Sequence, residues 1–206
     1  IPGNLSLYVG NELLQNQTEF AGLENQVDRL ILHYIHEKRS GGQSVWAPYF
    51  GTVPGPDDLQ RHHPAYATKG LLDDFMFLPA VRHILEHQKT VNHRFSRLRA
   101  YMPWVSLDDV RWGSVVFLSR AIGQEEFLPL IELMNAEWEP SVTVFCDDEI
   151  ECQYDDTCKE PNCNFYEVFA SRDLAAGEEL TLTYGHPPND YAFYSWGFTF
   201  PPENPQ

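Results

Sequence analysis

The hydrophobic pattern of this chain changes character near Gly123, and the two halves obey different periods. Before that point, Leu23, Val27, Leu30, Ile31, Tyr34 and Ile35 recur at offsets of four, seven, eight, eleven and twelve, which is one face of a helix. After it, the segments from Val142 to Cys146, Phe165 to Ala170 and Leu180 to Tyr184 carry the β-branched, alternating pattern of half-buried strands. The chain is therefore helical first and sheet afterwards.

Local signals set the boundaries. Gly41-Gly42 ends the first helix, and Pro48, Pro54, Pro56 and Pro64 make 44–64 an ordered loop. A second helical region runs from about Lys69 to Tyr101, with a break at Pro79, and carries Phe75, Leu78, Val81, Ile84, Leu85 and Leu98. Ser106 followed by Asp109 reads as a cap opening a third helix, whose buried face holds Val110, Val115, Phe117 and Leu118. The acidic stretch from Asp147 to Asn164 lies between two strands and reads as a long hairpin loop in solvent.

Charge and composition exclude two classes of function. A formal net charge of −16, with no basic run, opposes direct binding to nucleic acid and would favour a basic protein partner. No stretch approaches the roughly 20 consecutive apolar residues of a membrane span, so the chain reads as soluble and not inserted in a membrane. It opens at Ile1-Pro2 with no initiator Met, as a fragment or processed product would.

Four motifs then follow in order: LPLIELMNAEWEPS (Leu128 to Ser141), YEVFASRDLAAGEELTLTYG (Tyr166 to Gly185), PPND (Pro187 to Asp190) and FYSWGF (Phe193 to Phe198). Together they resemble a SET domain. Upstream, SVWAPYFGTVPGP (Ser44 to Pro56) and SLDDVRWGSVVFLSRAIG (Ser106 to Gly123) resemble the loop and helix of the Rubisco large-subunit lysine methyltransferase-like class. The likeness covers about Ser44 to Pro205. It implies an α+β fold of SET-type knotted small β-sheets with a helical insertion. Residues 1–125 would hold the insertion and a preceding SET segment, and 126–206 the C-terminal SET segment.

The resemblance also implies chemistry: transfer of a methyl group from S-adenosylmethionine to a protein lysine or histidine, with no metal. Tyr184 would orient the methyl group as the catalytic residue. Asn135 would hydrogen-bond the cofactor, the backbone of Ala136 would meet the adenine, and Tyr184 and Phe198 would complete that pocket. Ser119, Arg120 and Trp196 would lie on the substrate side. Such transfer needs a neutral amine held in line in a site that excludes water, and a lysine of ordinary pKa about 10.4 is protonated at neutral pH unless desolvated. An aromatic channel serves both needs. Relatives of this class work in plastid, cytosol and nucleus, so the expectation is an intracellular protein of open compartment.

Three departures from the family pattern point the other way. Ala136 stands where the family has a histidine, Ser141 where it has an asparagine, and Trp196 where the subgroup has tyrosine. The glycine-bearing strand-turn that cradles the methionine end of the cofactor would precede Ile1, and the family's substrate-binding helical domain would follow Gln206. These features support a second reading, a catalytically inactive SET-fold subunit that serves as a scaffold in a larger assembly.

Other signals are weaker. His83-Ile84-Leu85-Glu86-His87 fits H-x-x-E-H, but without an identifiable third ligand it reads as a solvated helix face. His33, His36, His62 and His63 read as surface or packed residues with no assigned role. Cys146, Cys152, Cys158 and Cys163 lack C-x2-C pairing, and reduced thiols, a disulfide and zinc all stay open. The acids around them lack the order of a calcium loop.

Overall fold

The computed structural model describes residues 7–8, 22–122, 126–147 and 165–201. The chain divides into two compact units, one of 1–7 and 128–186, the other of 8–127 and 187–206.

The second of these is helical. Its first helix, α1 (Gln26–Ser40), opens where the Asn25 side chain accepts the Asp28 N–H, and closes at Gly41, whose φ of 53° suits glycine. Short α2 (Ala47–Phe50) and α3 (Pro56–His62) follow, then α4 (Lys69–Asp74), α5 (Pro79–Tyr101), α6 (Leu107–Arg120) and, after the other unit, α7 (Asn189–Trp196). Segment 44–64 is thus partly helical rather than loop. Pro48 and Pro56 sit in the first turn of α2 and α3, where an intrahelical donor is not needed and a fixed φ helps. Pro79 does break the second region, and Ser106 and Asp109 form a reciprocal cap on α6.

The stripe read on α1 is only part of what is covered: residues 28–35 are all buried, because α2, α5 and α6 pack around this helix. Tyr34 stacks on Trp112 and Phe127, and its hydroxyl meets that of Tyr49 at 2.9 Å. Gly113 permits the close approach of α6, since a Cβ there would lie 3.0 Å from Ile31. Asp28, fully buried, accepts from Arg94 and Arg97 at 2.6 Å each, and Arg94 also donates to Ser114. One carboxylate therefore joins α1, α5 and α6. Phe75 and Leu78, read as helix-face residues, are exposed in the turn between α4 and α5.

The other unit is built from small sheets. β3 (Asn135–Ala136) runs parallel to β6 (Thr181–Leu182), and β4 (Val142–Asp147) pairs antiparallel with β5 (Phe165–Ala170). Among the described residues two short strands remain, β1 (Leu7–Tyr8) and, in the helical unit, β2 (Glu126–Phe127). The alternation read over Leu180 to Tyr184 holds for two residues: Leu182 is buried, but Leu180 is exposed. The acidic connection and Cys152, Cys158 and Cys163 lie outside the described residues, as does the side chain of Cys146.

Candidate active site

Two segments distant in sequence meet in the sheet unit. A 3-10 turn (Ile131–Leu133) delivers Met134, Asn135 and Ala136, and β3 pairs Asn135 with Thr181 and Ala136 with Leu182. The Glu137 N–H extends the pairing to the Leu182 carbonyl at 2.9 Å. Half-buried Tyr184 then leaves β6 with its hydroxyl donating to the Met134 carbonyl at 2.7 Å.

Ser141 ties this crossing together. It is 1% exposed; its hydroxyl accepts the Thr181 N–H at 2.8 Å and donates to the Glu179 carbonyl at 3.2 Å, while its own N–H donates to Thr181 Oγ1 at 3.0 Å. Ser141, which in sequence departs from the family's asparagine, is in the fold the centre of hydrogen bonds to Thr181 and Glu179. A hydroxyl suits the position because it donates and accepts at once.

Glu179 was not among the residues the sequence singled out. Its carboxylate takes the Asn135 amide at 2.6 Å. The turn before it is held by an Arg172–Glu178 ion pair and by the Ala175 N–H on Glu178, contacts that hold the Glu178 carboxyl below its usual range. The Gly-Glu-Glu sequence was the available signal, but it reads equally as an ordinary turn.

The other predicted residues lie in the helical unit. Ser119 and Arg120 end α6, and the Ser119 hydroxyl donates back to the Val115 carbonyl at 2.8 Å. Trp196 ends α7, and its ring stacks on Phe198 with centroids 5.9 Å apart; Tyr191 meets Trp196 edge-on at the same distance. Asn189 fixes the following turn, accepting the Phe200 N–H and donating to the Phe200 carbonyl. That clamp gives the asparagine of the PPND motif its place. The structure thus brings together Asn135, Ala136 and Tyr184 in one unit, and Trp196 and Phe198 in the other.

Three of the histidines, His33, His63 and His87, are buried, and His87 departs from the solvated face read in the sequence. His87 is 8% exposed, bonds Tyr194 through Nδ1 at 3.3 Å, and burial lowers its pKa to about 4. His83 faces Asp190 instead, at 3.5 Å. His63 Nδ1 accepts the Ala65 N–H, which leaves its Nε2–H for the Ser195 carbonyl. Burial likewise lowers the His33 pKa to about 4. Among the described residues no three His, Cys, Asp or Glu side chains converge as a metal site would need, and no helix is long and apolar enough to cross a membrane.

This architecture is the SET fold, in an α+β chain. In particular, the chain is similar to the SET domain of LSMT bound to lysine and AdoHcy, with a TM-score of 0.73 and 19% identity over 99% of this chain and 48% of that one. It is similar also to Rubisco LSMT bound to AdoMet, at 0.72 and 20% over 99% and 46%. A third likeness, to Rubisco LSMT bound to sinefungin and monomethyllysine, has a TM-score of 0.72 and 21% identity over 99% of this chain and 46% of that chain. The chain spans about half the length of these structures. No protein-family model and no curated protein sequence matches it.

Proposed function

We propose that this chain is the SET portion of a protein N-methyltransferase that uses S-adenosylmethionine and acts on lysine, or on histidine, in a protein substrate. The observation that carries this reading is the Tyr184 hydroxyl, anchored on the Met134 carbonyl beside the parallel pairing of Asn135 and Ala136 with β6. Similar SET domains hold AdoMet or AdoHcy, and one holds lysine.

The residues present fit the cofactor. Asn135 is exposed beside the crossing, with an amide able to reach a polar ligand, and Ala136 leaves its backbone uncrowded by a ring. When bound, S-adenosylmethionine supplies an activated methyl group. Tyr184 donates its proton to Met134, and a phenol oxygen held in that direction suits the positively polarised hydrogens of a methyl group on sulfonium or an N–H of the acceptor amine. Trp196 and Phe198 offer aromatic faces for an acceptor side chain, and Ser119 and Arg120 are assigned to the same acceptor side. The net charge of −16 favours a basic protein as substrate or partner.

A second reading, an inactive SET-fold scaffold subunit, is favoured by Ala136, whose methyl group leaves the crossing without the histidine of the family pattern. Calorimetric titration with S-adenosylmethionine separates the two. Measurable heat, and transfer of labelled methyl to a basic protein acceptor, support the enzyme; silence at millimolar cofactor leaves the scaffold.

A further inference from the structure

The helical unit holds a cleft of about 260 Å³, lined by segment 65–68, by His87, Gln88 and Val91 of α5 and by Arg111 of α6. None of these residues is assigned to the cofactor or to the acceptor. Two of them carry a buried polar atom that no described residue satisfies: the Tyr66 hydroxyl, and Nε2 of His87, a side chain only 8% exposed. Such an atom costs stability, and folds keep one where water or a ligand completes it. His87 Nδ1 meets the Tyr194 hydroxyl, which can donate or accept, so Nε2 can take either role toward a ligand. The rest of the lining is polar in a fixed sense. Gln88 Nε2 donates to the carbonyls of Ala65 and Ala67 at 3.1 and 2.9 Å; carbonyls only accept, so the amide oxygen is the edge left, and a ligand meeting it must donate. Arg111 lies 5.6 Å from the centroid of the Tyr66 ring and gives Asp108 a bond from Nη1. With Asp108 81% exposed that pair is weak, and the other N–H groups of the guanidinium can serve an anion.

From these observations we propose that the cleft is a ligand site of its own, for a small organic monocarboxylate that also carries a hydroxyl or amino donor. Arg111 and the Tyr66 hydroxyl take the carboxylate, the Gln88 amide oxygen takes the donor, and Ala65, Ala67 and Val91 cover the body between them. One guanidinium and one neutral hydroxyl match a single negative charge, and Asp108 beside them opposes a dianion such as phosphate. Size agrees with this class. A cavity of about 150 Å³ holds one benzene ring, so this one has room for a ring with two polar substituents. The site is built within the helical unit and its occupation does not depend on methyl transfer.

Calorimetric titration of the full chain with para-hydroxybenzoate tests this, beside two related probes: para-hydroxybenzamide, which keeps the shape but loses the charge, and benzoate, which loses the donor. The unaltered chain is expected to bind the amide about tenfold and benzoate about threefold more weakly than para-hydroxybenzoate, the sizes of a charged and a neutral hydrogen bond. Arg111→Gln should abolish the preference for para-hydroxybenzoate over its amide. Tyr66→Phe should weaken para-hydroxybenzoate about tenfold without lowering the urea midpoint of the free chain, because the hydroxyl has no partner among the described residues to lose. That combination separates a ligand-binding hydroxyl from a structural one. Arg82→Gln alters an exposed arginine outside the cleft and should leave all three affinities unchanged. Four results would each overturn the proposal: no binding of any probe at about 10 mM, beyond the weak edge of specific affinity; equal affinity for the charged and neutral probes; a loss in Arg82→Gln equal to that in Arg111→Gln; or a Tyr66→Phe chain that is destabilised yet binds as before.

Discussion

Tyr184 donates its hydroxyl to the carbonyl of Met134 at 2.7 Å, across fifty residues of chain. That bond sets the direction of the phenol just beyond the parallel pairing of β3 with β6. It gives the Tyr184 hydroxyl proton a fixed acceptor, the Met134 carbonyl.

Tyr184→Phe removes one oxygen and one hydrogen bond. The expected result is a loss of at least about a hundredfold in methyl-transfer rate, comparable to removal of a preorganised catalytic contact. Stability should fall by only about 1 kcal/mol. Single-turnover rates and denaturant curves on the same preparation check both, and unaltered turnover would remove Tyr184 from the mechanism.

Ser141→Ala should cost more stability than its size suggests. The methyl group leaves the Thr181 N–H and the Glu179 carbonyl without their partner in a buried crossing, at about 2–4 kcal/mol for the two groups. Urea titration measures the loss, and a change below about 0.5 kcal/mol, the scatter of surface substitutions, would show that the hydroxyl is dispensable.

Asp28→Ala strands two guanidinium groups that converge on a fully buried carboxylate. Breaking a buried pair on one side costs about 3–5 kcal/mol, toward the lower end here because Arg97 can turn to solvent. Chemical denaturation of the variant should show this as a lower midpoint with an unchanged slope.

Stability should also decline as pH falls below the ordinary histidine range. His33 and His87 are held neutral by burial, with pKa values lowered from 6.5 to about 4. Between those values the unfolded chain takes up protons that the folded chain refuses, so unfolding becomes more favourable as pH falls from 6.5 toward 4. Arg94 and His63 oppose protonation of His87 further, whereas Glu37 favours it at His33. Denaturation midpoints at a series of pH values measure the slope, and His87→Gln should make it shallower.

Much of the helical unit was legible because its signals are local. The caps at Ser106 and Gly41 and the break at Pro79 each act within one turn of their own position, so the residue types suffice to read them. Segment 44–64 misled because proline excludes helix interiors but favours helix starts, and which applies depends on where the neighbouring chain allows a start. In the candidate site, Tyr184 and Asn135 were found through the order of motifs, a pattern that needs no geometry.

Contacts between distant segments were decided only by the fold. Asp28 lies 66 and 69 residues from the arginines that neutralise it, and Asn135 lies 44 from Glu179. His87, on what the sequence presents as a solvated face, is buried against Tyr194, 107 residues onward. A side chain's type and its spacing from near neighbours are properties of the sequence and fix the local conformation it favours. Whether a carboxylate is paired, a histidine desolvated or an amide aimed depends on groups brought within about 3 Å by packing, and hydrogen bonding and desolvation act only over that range.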